Sequence, residues 1–173
     1  LLSLLSDAVG SKGYGVAVIS ADGRSANVHG DKKFVAASTY KLFIAYAVFK
    51  KIESGQMAWS DTVNGRTVET CFEVMIVRSD NPCAAALAEQ IGWKNIENQM
   101  HALGLTSTNL GSSRITTAND LALFLYKLQN GSLLSTTDRE RLVGYMKRQI
   151  YRAGIPAGTG LSVANKPGFI DGY

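Results

Sequence analysis

The segment AASTYKLFIAYAVFKKIESG, residues 36–55, constrains the fold more than any other part of this chain. Every residue from Leu42 to Phe49 is apolar, and a helix that is apolar on all sides is buried. Lys41 stands near the head of this helix. An unpaired buried ammonium is costly, so Lys41 is expected either to pair with an acceptor or to lose its proton. The sequence therefore predicts a buried helix that begins with a lysine in need of a partner.

Length and charge narrow the class of protein. The chain has 173 residues, enough for one domain or two small lobes with a substantial core. It carries 18 Lys and Arg against 14 Asp and Glu, and the basic residues are scattered, so a nucleic-acid partner is not expected. No apolar run reaches the roughly 18 residues that span a bilayer. The opening LLSLLSDAVGSKG is predicted to be an amphipathic helix rather than a signal peptide.

The cysteines and histidines do not suggest a metal site or a redox motif. Cys71 and Cys83 fall in predicted helices on either side of a break, which makes a disulfide doubtful because the bond needs Cα atoms within about 7 Å. We interpret both as packing residues. His29 and His101 lie far apart in the sequence, so neither a metal ion nor a cofactor is expected.

The order of predicted elements is helix, hairpin, a long helical block, then strand. YGVAVIS and RSANVHG, joined by ADG with Gly23 in the turn, predict a β-hairpin. The helical block runs from Ser38 to about Arg148. Helices are predicted to end at Gly55, Gly92 and Gly131, one helix spans about Val68–Val77, and helix starts are marked by Pro82 and the Thr117–Asp120 capping box. The glycine-rich tail, residues 151–173, contains β formers and predicts a returning strand.

This order predicts an α/β protein of the α+β type. Residues 1–35 and 149–173 would form a lobe with an antiparallel sheet flanked by helices, and residues 36–148 an all-helical lobe. The active site is expected in the cleft between the two lobes.

Ser38 and Lys41 are the first candidates for chemistry. They stand three residues apart at a helix start, so their side chains share one face and can meet. A neutral lysine could take the serine proton, and the helix N-terminus favours a developing negative oxygen. The alternative is a purely structural role, in which Ser38 is an N-cap and the long side chain of Lys41 extends to place its ammonium at the surface.

Two further motifs could complete such a site. Ser79-Asp80-Asn81 lies in the break between two predicted helices, where a hydroxyl can relay a proton and an amide can both donate and accept. A helix-capping turn is the alternative. Lys166 precedes Pro167 and Gly168 on the predicted late strand and would suit a substrate carboxylate, although alone it is only a lysine near a turn.

Together and in this order, S-x-x-K, S-D-N and K-P-G resemble the motifs of class A β-lactamases and related penicillin-binding proteins, whose third motif is usually K-T-G. The resemblance extends to GVAVISADGRSANVHGDKKFVAASTYK, RSDNPCAAALAEQIG, TTANDLA and YRAGIPAG, and covers residues 1–173. It implies a β-lactamase-like fold. It also implies an extracytoplasmic protein, periplasmic, secreted or at the cell envelope, from which the signal has been removed.

The resemblance assigns catalytic roles to three residues. Ser38 would be the acylated nucleophile, Lys41 its proton acceptor and Ser79 the proton relay. Asp80 is better explained as holding the turn.

The resemblance also implies four substrate-binding residues. Asn81 would contact the substrate amide and Lys166 would anchor its carboxylate. Gly168 closes the third motif, and the N–H of the following Phe169 would form the oxyanion hole with that of Ser38.

The sequence departs from the family in three places. Residues 98–119, where class A enzymes hold the glutamate that activates the deacylating water, contain no Asp or Glu. Pro167 replaces a hydroxyl residue and removes a strand N–H. The chain stops at Tyr173, so a C-terminal segment is expected to be missing, cleaved or supplied by a second chain.

The function implied is a serine hydrolase that forms an acyl-enzyme with β-lactams and deacylates slowly. One alternative is a D-Ala-D-Ala peptidase that acts on peptidoglycan stem peptides. The other is a non-catalytic relative that binds cell-wall fragments.

Overall fold

The computed structural model describes residues 13–169, and the helix predicted at the N-terminus lies outside them. The strands are β1 Val16–Ile19, β2 Ser25–Val28, β3 Lys33–Val35, β4 Thr62–Val63, β5 Arg66–Thr67 and β6 Ile115–Thr117. The α-helices are α1 Lys41–Glu53, α2 Val68–Val77, α3 Asn81–Ile91, α4 Trp93–Ala102, α5 Ala118–Gln129, α6 Thr136–Lys147 and α7 Ile155–Thr159. Helices and short antiparallel strand pairs confirm the α+β class. The division into two lobes at the predicted boundaries stays a prediction.

The predicted hairpin is confirmed. Strand β1 pairs antiparallel with β2, with Val16 opposite Val28 and Ile19 opposite Ser25. Gly23 adopts a φ of 86°, which only glycine takes without strain, and this closes the turn. The hairpin packs against α5.

The predicted buried helix is the centre of the core. Along α1, Phe43, Ile44, Val48 and Phe49 are completely buried. The helix packs against α2, α3 and α4. Burying each such side chain contributes about 1.5–3 kcal/mol, so the core fixes the position of the whole helix, including its first residue, Lys41.

The helix starts follow the capping residues of the sequence. The Thr67 hydroxyl accepts from the N–H of Thr70 at the start of α2, and the Thr117 hydroxyl accepts from the N–H of Asp120 at the start of α5. The Asp80 carboxylate does the same for α3. These bonds satisfy N–H groups that have no partner inside the helix, and they confirm the predicted boundaries.

A pairing that the sequence did not predict joins the helical block to the segment before Ser38. Strand β6 pairs antiparallel with β3, with Ile115 opposite Val35 and Thr117 opposite Lys33. The pairing depends on contacts distant in sequence, so no local pattern could indicate it.

The expectation that Cys71 and Cys83 are not disulfide-bonded is wrong. The two residues form a disulfide, with their Cα atoms 5.0 Å apart. Helices α2 and α3 double back on each other at the Ser79–Asn81 turn and pack side by side, which brings the two cysteines together. The bond therefore closes the turn that carries the S-D-N motif.

Removing this disulfide is expected to lower the free energy of unfolding by about 2–4 kcal/mol, because the bond restricts the unfolded chain. Chemical denaturation of a Cys71→Ala, Cys83→Ala variant beside the wild type measures the difference. Reductant should lower the stability of the wild type and leave that of the variant unchanged. Equal stabilities of the oxidised and reduced wild type would contradict the prediction.

The expectation of a returning strand at Lys166 is also wrong for the described residues. Residues 161–169 form no strand pairing. Side chains hold the segment instead, since Arg152 Nη1 donates to the Val163 carbonyl at 3.0 Å and to Asn165 Oδ1 at 3.1 Å. Pro167 has no N–H to give to a ladder.

Among residues 13–169, no helix is long and apolar enough to cross a membrane.

Candidate active site

Ser38 lies in a single 3₁₀ turn, Ala37–Tyr40, that leads directly into α1. Lys41, the first residue of α1, is completely buried. Its Nζ donates to Ser38 Oγ at 2.9 Å. Ala37, just before the serine, has a φ of 45°, an uncommon conformation for a residue with a side chain, and such strain clusters at functional sites. The predicted meeting of Ser38 and Lys41 is therefore observed.

Lys41 also has the partners that its burial requires. Its Nζ donates to the Ser79 carbonyl at 2.6 Å and to Asn81 Oδ1 at 2.6 Å, and it lies 3.3 Å from Ser79 Oγ. Ser79 has a φ of 59° in the turn between α2 and α3. The carboxylate of Asp80 accepts from the N–H of Cys83 at 2.8 Å and holds this turn, as expected. The S-x-x-K and S-D-N motifs thus form one network.

Lys166 joins the same network from the C-terminal segment. Its Nζ donates to Ser79 Oγ at 2.6 Å, so this hydroxyl lies between the amines of Lys41 and Lys166. The chain then passes close to the nucleophile. A Cβ at Gly168 would lie 2.8 Å from the Ala37 Cβ and 3.1 Å from the Ser38 nitrogen, so the approach requires glycine.

Phe169 follows and is 66% exposed, and its ring meets the Tyr151 ring edge to face at 5.7 Å. All seven residues predicted from the motifs lie in or beside the network around Ser38.

Burial changes the protonation of both lysines. It lowers the pKa of Lys41 to about 8, against the opposing effect of the Asp80 carboxylate. Burial and, to a smaller extent, the positive charge of Lys41 together lower the pKa of Lys166 to about 7. Each amine can therefore release its proton near neutral pH, which an exposed lysine does not do. The site holds a serine hydroxyl in contact with an amine able to act as a base.

The loop of residues 98–119, which contains no Asp or Glu, is bordered by two carboxylates. Both already accept hydrogen bonds from the loop. Glu97 accepts from the N–H of Leu110 at 2.7 Å and pairs with Lys94. Asp120 accepts from Thr108 Oγ1 at 2.7 Å. Both side chains are buried and hold the loop in place. Within residues 13–169, no group of three or more His, Cys, Asp or Glu residues could hold a metal ion.

Sequence analysis did not identify a cation and two aromatic rings beside this network. Arg114 Cζ lies 4.2 Å from the Trp93 ring centroid and 5.2 Å from that of Tyr40. Lys41 Nζ lies 5.8 Å from the same Tyr40 centroid. The available signal was that Arg114 is the only lysine or arginine in residues 98–119.

This fold is that of the β-lactamase class. The sequence matches the beta-lactamase enzyme family over residues 2–173. The chain belongs to this family, which makes it a hydrolase.

Solved structures with the same fold include PBP-A, 24% identical, with a TM-score of 0.80 over 91% of this chain and 71% of that one. A PBP-A mutant, described as an acyl-enzyme complex with penicillin G, is 25% identical, with a TM-score of 0.79 over 91% and 72% of the two chains. A β-lactamase from Sphaerobacter thermophilus is 21% identical, with a TM-score of 0.80 over 89% and 70%. A search of curated proteins gives no match.

Proposed function

We propose that this protein is a penicillin-binding serine hydrolase that forms an acyl-enzyme at Ser38 with β-lactams and releases it slowly. One observation carries the proposal: the Lys41 amine, whose pKa burial lowers to about 8, lies 2.9 Å from Ser38 Oγ. The penicillin G acyl-enzyme of the PBP-A mutant supports the choice of substrate.

Acylation follows from the contacts. Neutral Lys41 accepts the hydroxyl proton while Ser38 Oγ attacks the lactam carbonyl carbon. The resulting oxyanion is held by the N–H groups of Ser38 and Phe169, each worth about 3 kcal/mol in the transition state. The proton then passes from Lys41 through Ser79 Oγ to the lactam nitrogen as its bond to the carbonyl carbon breaks. This leaves an ester at Ser38 and a protonated leaving amine.

Two polar side chains orient the substrate. Asn81 Oδ1 accepts from Lys41, so its amide nitrogen is available to donate to the substrate side-chain carbonyl. Lys166, at the other end of the network, is proposed to hold the carboxylate of the penicillin ring system. Pro167 brings no hydroxyl to this carboxylate, so Lys166 carries most of that interaction.

A D-Ala-D-Ala peptidase is the second candidate. It needs the same attack by Ser38. Hydrolysis of its acyl-enzyme also needs an activated water, so a loop without a carboxylate favours transfer of the acyl group to an amine over hydrolysis. The non-catalytic alternative is disfavoured, because a binding module has no need for a buried lysine and a half-buried lysine on one serine relay. Peptidoglycan lies outside the cytoplasm, so we also propose an extracytoplasmic location and a link to β-lactam resistance or wall metabolism.

Incubation with a fluorescent penicillin tests the proposal. Wild-type protein is expected to take up one label per chain, and Ser38→Ala none. Ser3→Ala is the control, because Ser3 belongs to no motif of the site, and it should label like the wild type. Absence of label on the wild type, or label that persists in Ser38→Ala, would refute acylation at this serine.

A further inference from the structure

Arg114 is fixed in space by two aromatic rings and by its backbone. The Tyr40 and Trp93 rings that contact its guanidinium also meet each other edge to face, with centroids 5.6 Å apart. Its carbonyl accepts from the N–H of Ala36 at 2.7 Å, two residues before the nucleophile. Its φ of 39° is unusual for a residue with a side chain and is maintained by this pairing. The cation is therefore preorganised relative to Ser38.

The described part of the chain provides this cation with no counterion. None of the ion pairs among residues 13–169 includes Arg114. Its Nε is buried and has no hydrogen-bond acceptor. A buried donor left unpaired costs free energy, and a guanidinium is shaped to bind a carboxylate through two hydrogen bonds. Because Nε is buried, an incoming anion would bind Arg114 through its two Nη groups.

The position of Arg114 indicates which part of a substrate could reach it. The Tyr40 centroid lies 5.8 Å from Lys41 Nζ and 5.2 Å from Arg114 Cζ, so the two cations are at most about 11 Å apart. That distance is about three residues of extended peptide. Lys166 joins Lys41 through Ser79, and Arg114 joins it through Tyr40. Contacts through Ser79 therefore lead from Lys41 to the cation of Lys166, and contacts through Tyr40 lead from Lys41 to the cation of Arg114.

We propose that Arg114 is a specificity-determining residue that binds a carboxylate on the acyl side of the substrate. The preferred substrates are then acyl donors with two carboxylates, one held by Lys166 and the other by Arg114. This inference rests on the proposed function, because Arg114 is assigned the second carboxylate of the same acyl donor that reacts with Ser38.

A matched pair of penicillins tests the proposal. Adipoyl penicillin ends its acyl chain in a carboxylate, and its side-chain methyl ester has the same chain without the charge. The readout is the ratio of their second-order acylation rate constants, acid over ester. We expect the wild type to favour the acid and Arg114→Gln to lower the ratio about 10-fold or more. Arg114→Lys keeps the positive charge but loses the planar guanidinium that binds a carboxylate through two hydrogen bonds. Its acid-to-ester ratio should therefore fall between those of the wild type and Arg114→Gln.

The chain supplies a control arginine. Arg141 stacks on Trp59 at 4.6 Å and pairs with Glu69, and Trp59 meets Phe49 of α1, eleven residues after Ser38. Arg141→Gln should leave the acid-to-ester ratio unchanged. Raising the salt concentration should lower the ratio in the wild type, because screening weakens the charge interaction. This last arm needs no variant that could misfold.

The outcomes separate this inference from the proposed function. In the Ser38→Ala background the same two penicillins give a ratio of Kd values, so the role of Arg114 is measured even where no acyl-enzyme forms. Absence of a Ser38-dependent adduct counts against the proposed function alone. No preference for the acid in the wild type, or an equal loss of both compounds in Arg114→Gln, would overturn the role of Arg114.

Discussion

Replacing Lys41 with methionine is expected to lower the rate constant for acylation by benzylpenicillin about 10²–10⁴-fold, the range for loss of a general base. Methionine fills a similar volume and brings no charge into the core. Lys50→Met is the control, because Lys50 lies on the same helix and pairs with Glu53 near the surface. A Lys41→Met protein that folds and acylates at the wild-type rate would show that another group takes the proton.

The pH dependence of wild-type acylation tests the same assignment. Burial lowers the pKa of Lys41 to about 8, so the neutral, basic form increases as the pH rises through that value. The pKa of Lys166 is lowered to about 7, so the charge that anchors the substrate carboxylate is lost as the pH rises through that value. The rate constant should therefore be greatest between about pH 7 and pH 8. Lys166→Ala should lose the alkaline decrease and keep the acidic one.

The second large effect is expected in deacylation. A positioned general base contributes about 10²–10⁴-fold, and residues 98–119 supply no carboxylate for that role. We expect an acyl-enzyme that persists for hours when its intact mass is followed after a single addition of benzylpenicillin. Hydroxylamine should shorten its lifetime, because this nucleophile does not need activation as water does.

Two controls make that result decisive. The acyl-enzyme unfolded in denaturant gives the rate of ester hydrolysis in the absence of a folded active site. If the folded acyl-enzyme hydrolyses much faster than this, the site activates water and the prediction is wrong. Glu97→Gln and Asp120→Asn test the two buried carboxylates that border the loop. Neither should slow deacylation, because both carboxylates hold backbone or hydroxyl donors of the loop.

Local chemistry explains why much of the site could be predicted. Ser38 and Lys41 meet because they stand three apart where a helix begins, and Asp80 caps α3 because a carboxylate there binds an N–H that has no other partner. Such features depend on neighbours in the sequence. The resemblance to class A β-lactamases then placed Lys166 in the same site, although no local pattern could do so.

The predictions that failed depended on contacts between distant segments. The Cys71–Cys83 disulfide forms because α2 and α3 fold back on each other, and the spacing of the cysteines does not reveal that geometry. Lys166 reaches Ser79 from a segment that forms no strand pairing, where a strand was expected.

By itself, the sequence determined the buried helix α1, the boundaries of the helices that follow it, and Ser38, Lys41 and Asn81 as site residues. The reason is that helix periodicity and capping act over a few residues. Only the tertiary structure decided that Arg114 lies on Tyr40 and Trp93 beside Lys41. The reason is physical: burial and the pairing of β3 with β6 bring together residues whose separation along the chain carries no information about their distance.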